Sequence, residues 1–356
     1  RTRKSPIACQ KYPMAFNRFR WQSLQTRVTL FTLAIFLASV WSLSLYASHR
    51  LRQDMQRALS EQQYATVSFV AGKINRDVDD RLAALTRVAA GISPASLENA
   101  RAMQNLLEQQ QALHVLFNAG IWVTRADGIA IANVPQSLGR IGIDYSDRDY
   151  IREVLDKGTS AIGRPVIGVT VRLPAFGMSV PILDAQGKVA GVLAGGINLG
   201  QPNFLDEMTD GRYGKSGGYL LIAPKHQIIV TGSDKSRVMQ PVPAPGLNKM
   251  HDRYMQGFEG YGVAINSRGV EELSAARRIA SADWFVVAAL PSSEAFAPIA
   301  DMQRYMLLAT ALVSLLVGAL TWWVTTYMLQ RQLSPVLNAS RTLALQAQGQ
   351  QLVVPL

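Results

Sequence analysis

AGIWVTRADGIAIAN, residues 119–133, reads as two short strands around a tight turn. Ala119–Thr124 is the outgoing strand, Arg125–Gly128 the turn and Ile129–Asn133 the return. Asp127-Gly128 between apolar runs is a hairpin signal, because the turn needs backbone angles that Asp and Gly tolerate. A hairpin makes an antiparallel sheet. The following sequence continues the pattern. A loop and short helix are expected over Asp144–Lys157, then strands at Ala161–Val169, Arg172–Ile182 and Val189–Asn198. Asp184–Gly187 turns the last pair. The second half repeats this in reduced form: strand Gly218–Ala223, turn Pro224–Gln227, strand Ile228–Thr231, and later strands Leu273–Arg278 and Trp284–Leu290.

Toward the N-terminus the period changes from two to between three and four. Over His49–Ile92, apolar residues recur at Leu51, Met55, Leu59, Phe69, Ile74, Val78, Leu82, Leu85 and Val88, with charged and amide residues between them. That spacing predicts an amphipathic helix, whose stripe can pack on a domain or on a twin helix. Ser93-Pro94 breaks it, and a second helix is expected over Ser96–Gln111. The fold class is therefore α+β: two antiparallel-sheet lobes on a long N-terminal helix.

Farther out lie two uncharged runs. VTLFTLAIFLASVWSLSLYAS fills 28–48 and YMLLATALVSLLVGALTWWVTTYML fills 305–329. A bilayer core about 30 Å thick needs roughly 20 apolar residues of helix, and both runs suffice. Trp322, Trp323 and Tyr327 sit near one end of the second run, where interfacial aromatics belong. A buried core helix is rarely so long and free of charge. A cleaved signal peptide would be shorter and end on an Ala-x-Ala pattern, which is absent. A helix over Glu294–Arg304 should run into the second span, and Pro335 suggests another helix beginning just beyond it.

Arg1, Arg3, Lys4, Lys11, Arg18, Arg20 and Arg27 precede the first span with no acid among them. The positive-inside rule puts that tail in the cytoplasm. The expected layout is a cytoplasmic tail (1–27), a span (28–48), an extracytoplasmic segment (49–304), a span (305–329) and the cytoplasmic start of a relay helix (330–356). Within the segment we expect a helical stalk (49–117), a membrane-distal lobe (118–204) and a membrane-proximal lobe (205–304). The net charge of +11 then reads as topology, and no aromatic-basic interleaving points to nucleic acid. Cys9 is the only cysteine, so the lobes must stand on their cores without a disulfide. Met14 looks like a natural start, and the sequence reads as a fragment of a longer protein.

The order of span, long helix, two antiparallel lobes and span resembles the double Cache, or PDC-type, sensor domains of bacterial membrane receptors. Asp147-Arg148-Asp149-Tyr150, the stretch from Ile162 to Gly168, the stretch from Val180 to Leu193, and that from Arg212 to Leu220 are similar to that family's core. The likeness covers about Leu51–Ile299. It implies PAS-like lobes and a small-molecule ligand between the first lobe's sheet and the loop-helix after its first hairpin, here 147–150. It also implies a cytoplasmic output, often PAS, GGDEF and EAL modules that make or break cyclic di-GMP, otherwise a histidine kinase or chemoreceptor region. None of those motifs occurs in this sequence, so any diguanylate cyclase or phosphodiesterase activity would belong to further sequence. A membrane-anchored binding module with no output is the remaining alternative.

Catalytic constellations are absent. His49, His114, His226 and His251 are scattered without ligand spacing, so no metal or cofactor is expected. The ligand candidates are Trp122, Tyr145, Arg148, Tyr150, Arg164, Arg172 and Asn198. Arginine can clamp a carboxylate through parallel hydrogen bonds, aromatics can wall a pocket, and an amide can orient a polar group. Three arginines favour an anionic ligand such as a small carboxylate. Each residue also has a plainer role open to it. Arg148 can pair with Asp144 or Asp147, Arg164 can cap strand ends, Arg172 can face solvent and Trp122 can be core. In the second lobe, Asp234–Arg237 and the proline-rich 241–245 read as surface loop. A homodimer through the long helix is expected.

Overall fold

The computed structural model describes residues 24–209, 211 and 213–350, with side-chain surroundings described between 27 and 328. The basic tail, including Cys9 and Met14, lies outside the described residues. Two compact units emerge: residues 54–299, and the flanking segments up to 53 and from 300.

Helix α1 runs Leu24–Ala90. Within 54–299, its buried face is Val67, Val70, Ala71, Ile74, Val78, Leu85 and Ala89, at the three-four spacing of one helical stripe. The stripe packs on the unit's own core and leaves Phe69 at 66% exposed. A short 3-10 turn at Pro94–Glu98 follows, then α2 (Ala100–Glu108) and α3 (Gln111–Leu116). The single helix expected over 96–111 is thus divided. Asn99 caps α2 by accepting from the Ala102 N–H at 3.0 Å, which fixes its start after the turn.

The first sheet contains β1 (Ile121–Arg125), β2 (Ala130–Val134), β3 (Ala161–Ile162), β4 (Val166–Ile167), β5 (Pro174–Leu183) and β6 (Val189–Asn198). The order is β2-β1-β6-β5-β3, with β4 also on β5, and every pair is antiparallel. The strand expected over 161–169 is two short pieces, separated at Gly163-Arg164-Pro165, because proline has no N–H for the ladder. Helix α4 (Asp149–Lys157) crosses one face of this sheet.

After α5 (Asp206–Thr209) the second sheet is built from β7 (Gly218–Ala223), β8 (Ile228–Gly232), β9 (Gly260–Ile265), β10 (Glu271–Ile279) and β11 (Trp284–Pro291), in the order β8-β7-β11-β10-β9. Helix α6 (Lys249–Met255) packs on it. Neither β9 nor α6 was expected from the sequence. One cluster joins α1, Phe176 and Met178 of the first sheet, and Leu221, Val230 and Trp284 of the second. The Phe176 and Trp284 rings meet edge to face at 5.1 Å, a favoured aromatic geometry.

Gln63 of α1 is buried and donates from Nε2 to the carbonyls of Leu273 at 3.2 Å and Ala288 at 2.9 Å. It therefore ties the helix to β10 and β11. Gln63→Ala removes both bonds and leaves a cavity, and should cost about 2–4 kcal/mol in equilibrium unfolding. A change below about 0.5 kcal/mol would contradict this tie.

Helix α7 (Ser292–Ala295) ends within residues 54–299, and α8 (Ala297–Gln350) carries the second apolar run into the other unit. Both α1 and α8 contain windows long and apolar enough to cross a membrane. Between them Trp41 Nε1 donates to Ser314 Oγ at 3.2 Å, and the Ser44 and Thr310 hydroxyls lie 2.7 Å apart. Ser314 and Thr310 also donate to carbonyls four residues back, so these hydroxyls are satisfied within the helices, as an apolar medium requires. No new helix begins at Pro335. Helix α8 continues through it, since one lost intrahelical bond can be absorbed by intact turns on either side.

Candidate ligand-binding site

The pleat of the first sheet sorts its side chains onto two faces. Along β1, Ile121 and Val123 enter the main core, while Trp122 points to the α4 side. Trp122 pairs across the ladder with Ala194 of β6 and Asn133 of β2. On the α4 side it meets Tyr145 at 5.4 Å and Tyr150 edge-on at 6.4 Å between ring centroids. Tyr150 sits in the first turn of α4, and its carbonyl accepts from Ser179 Oγ of β5 at 2.9 Å. Its ring lies where a Cβ on Gly163 or Gly177 would be, 2.3 Å and 2.5 Å from the nearest ring atoms. Only glycine at these two places lets the ring lie against the sheet.

These aromatics line a small cleft with Arg140, Arg148, Thr170 and the residues around β4. Arg140 follows the turn after β2 and is 4% exposed. Its Nη2 donates to the Ala119 carbonyl at 2.7 Å, and its Nε to Thr170 Oγ1 at 3.3 Å. Its guanidinium lies 4.2 Å over the Trp122 ring. The third nitrogen, Nη1, is buried without a hydrogen-bond partner. Trp122 Nε1 is buried without a partner too, and the Tyr145 hydroxyl faces Arg140 and Thr170 without completing a hydrogen bond. Burial pushes the Arg140 guanidinium below its ordinary value, and nearby Tyr145 and Tyr150 oppose that. Burial pushes both tyrosine hydroxyls up, so they stay protonated donors.

Among the described residues, no aspartate or glutamate lines the cleft. The acids of the neighbouring segment are engaged by local partners, one of them Arg148 of the cleft itself. Asp147 Oδ1 lies 3.3 Å from Arg148 Nε. Asp149 accepts from the backbone N–H groups of Tyr150 at 2.9 Å and Arg164 at 3.0 Å, tying α4 to the 163–165 turn. Asp144 accepts from the Ser146 N–H at 2.8 Å.

Of the seven residues singled out in the sequence, Trp122, Tyr145, Arg148 and Tyr150 come together here. Arg164, Arg172 and Asn198 lie outside the lining. Arg164 and Arg172 are exposed, and Arg172 turns the chain with φ 52°. Asn198 is buried, and its Oδ1 accepts from the Gly200 N–H at 2.9 Å. Arg140 was not anticipated. In sequence it is one arginine in a glycine-flanked loop, with no period to mark it as buried.

The family model described as a Cache domain, of the dCache_1 type, matches residues 51–299. This chain belongs to the Cache domain family. It carries a Cache-type ligand-binding sensor domain. No curated protein matches the chain. Among solved structures, this Cache domain is similar to the ligand-binding domain of the Pseudomonas fluorescens chemoreceptor CtaA in complex with L-isoleucine, at 19% identity and TM-score 0.55, over 69% of this chain and 98% of that one. It is similar to the ligand-binding domain of the Pseudomonas aeruginosa amino acid chemoreceptor PctB in complex with L-Arg, at 17% identity and TM-score 0.54, over 68% and 98%. It is also similar to the periplasmic sensory domain of the Campylobacter jejuni chemoreceptor Tlp1, at 13% identity and TM-score 0.54, over 68% and 99%. At these identities the likeness concerns the fold.

Proposed function

We propose that this chain is the input region of a two-pass receptor in the inner (plasma) membrane, with its Cache domain extracytoplasmic and its first lobe binding a small carboxylate. The observation that carries the ligand class is Arg140. A guanidinium this buried, with a free donor and no acid beside it, is a costly arrangement until an anion completes it. Arg148, paired with Asp147, adds guanidinium donors, and Trp122 Nε1 and Tyr145 supply further ones. Aromatic walls suit a short carbon chain.

An amino acid is the second reading, favoured by the ligands of CtaA and PctB. Its ammonium group would find no carboxylate in this lining and would sit near Arg140. Succinate and L-aspartate share a carbon skeleton and differ by that ammonium group, so they separate the readings. In thermal unfolding of the purified chain, succinate should raise the midpoint and L-aspartate should do so less. The shift should grow as RT ln(1 + [L]/Kd). A larger shift with aspartate would transfer the assignment to amino acids, and no shift with any short carboxylate would remove the ligand class altogether.

The cleft in this state measures about 40 Å³, room for only a few waters. A ligand must widen it, and the residues around β4 form its outer wall. A ligand shifts signalling only through different affinities for the two states. We assign the relay to α1 and α8, and a homodimer to the receptor, for which exposed Phe69 on α1 is the supporting feature. The output we assign is a cyclic di-GMP module, on the sequence resemblance. Coding sequence for a GGDEF or EAL module following α8 supports that assignment, while a histidine kinase or chemoreceptor region there replaces it.

A further inference from the structure

The second lobe contains a much larger cleft, of about 760 Å³. Its floor is apolar, from Ile222, Ile229 and Val287 of the sheet. Its walls come from α6, the turn after β8 and the β9–β10 hairpin. Two arginines face it: Arg237, half-buried after β8, and Arg268, exposed at the hairpin tip. Neither makes an ion pair among the described residues.

The two acids of the cleft, Asp234 and Glu272, each hold neutral donors. Asp234 Oδ1 accepts from Ser236 N–H at 3.1 Å and Ser236 Oγ at 2.6 Å. Glu272 Oε2 accepts from Asn266 Nδ2 at 2.9 Å. Burial pushes the Arg237 guanidinium down, and the like charge of Arg268 pushes the same way, against Asp234 and Glu272. His251 also lines the cleft. It is 8% exposed, and its Nε2 is buried without a hydrogen-bond partner. Burial pushes its imidazole down, so it is neutral near neutral pH. Asp234 and Glu272 offset part of the two positive charges, and an anion between the arginines would complete that offset.

We propose that this cleft is a second small-anion site, in which Arg237 and Arg268 share one oxyanion group, a carboxylate or phosphate. Arginine forks bind either group through parallel hydrogen bonds. Glu272 faces the same space and disfavours a second anionic end, so the ligand carries one anionic group and a neutral or donor end. This site is independent of Arg140 and the first lobe.

The test is isothermal titration of the full chain carrying Arg140→Met, which silences the first-lobe cleft. Inorganic phosphate and L-lactate are the probes. At least one should bind with one site per chain, and which one binds identifies the oxyanion. Adding Arg237→Gln should abolish that binding. Adding Arg268→Gln, at an exposed position that cannot unfold the lobe, should weaken it by at least about tenfold, the loss of one charge-assisted pair. Absence of binding by both probes in the Arg140→Met chain overturns the proposal. So does binding that Arg268→Gln leaves unchanged.

Discussion

Replacing Arg140 with methionine should abolish carboxylate binding in the first lobe while leaving the unliganded domain as stable as before, or more stable. Most arginines that line a binding site cannot be removed so cleanly. Arg140 is different because its charge meets the Trp122 ring but no acid: its bonds go to the Ala119 carbonyl and the Thr170 hydroxyl, and Nη1 is left over. Removing it loses those bonds but also relieves the desolvation of a buried cation. Methionine keeps much of the volume against the Trp122 ring, so the two terms should nearly offset. Binding has no such offset. Truncating one partner of a buried charge pair costs about 2–5 kcal/mol, a loss of roughly 30-fold to more than 1,000-fold in affinity. Thermal unfolding with and without succinate reads both effects. A large loss of apo stability with the succinate shift intact would mean that Arg140 is a structural residue only.

Gly177→Ala should impair the same cleft from the opposite side. The added Cβ would fall 2.5 Å from Cζ of Tyr150, and the ring cannot retreat because Gly163 holds its other edge as closely. A rigid aromatic does not yield by that amount, so Tyr150 must leave its place against Trp122. Overpacking of this kind costs about 1–3 kcal/mol. The substitution should also weaken ligand binding, since the displaced ring enters a space of about 40 Å³. A double-mutant cycle isolates the cause. In a Tyr150→Ala background, Gly177→Ala should be nearly neutral, which gives a coupling of about 1–3 kcal/mol. Equal cost in both backgrounds would mean that the glycine is needed for the strand itself and not for the tyrosine.

Much of the architecture is legible in the sequence, and the reason lies in period and punctuation. Strands β6 and β7 occupy the residues expected, because each is an apolar run bounded by a turn. The long helix followed from the three-four spacing, but of the stripe only Ile74, Val78 and Leu85 are buried, and Phe69 points outward. Strand β9 escaped notice. Gly260-Tyr261-Gly262-Val263-Ala264-Ile265 has too little alternation to declare itself, and it is held by pairing with β10. Helix α6 is a seven-residue element whose cap, Asn248, accepts from the N–H groups of Met250 and His251. That signal is too short to stand out beside a proline-rich loop.

The site was legible where residues carry both a motif and a pattern. Trp122 lies on a strand, and Tyr145, Arg148 and Tyr150 lie in a segment resembling the family's binding loop. Arg140 carries neither, because its burial arises from tertiary packing under Trp122. Conversely, Arg164 and Arg172 have the side chain expected of an anion clamp, but the backbone carries them away from the cleft. Arg164 offers its N–H to Asp149, and Arg172 bends the chain between β4 and β5.

The most direct measurement is a crystal structure of the Cache domain grown with succinate. A carboxylate oxygen should lie about 3 Å from Arg140 Nη1, with Trp122 Nε1 or the Tyr145 hydroxyl on the same group and the β4 wall displaced outward. Succinate bound elsewhere, with Arg140 still unpartnered in a closed cleft, would contradict the assignment of this lobe as a carboxylate sensor.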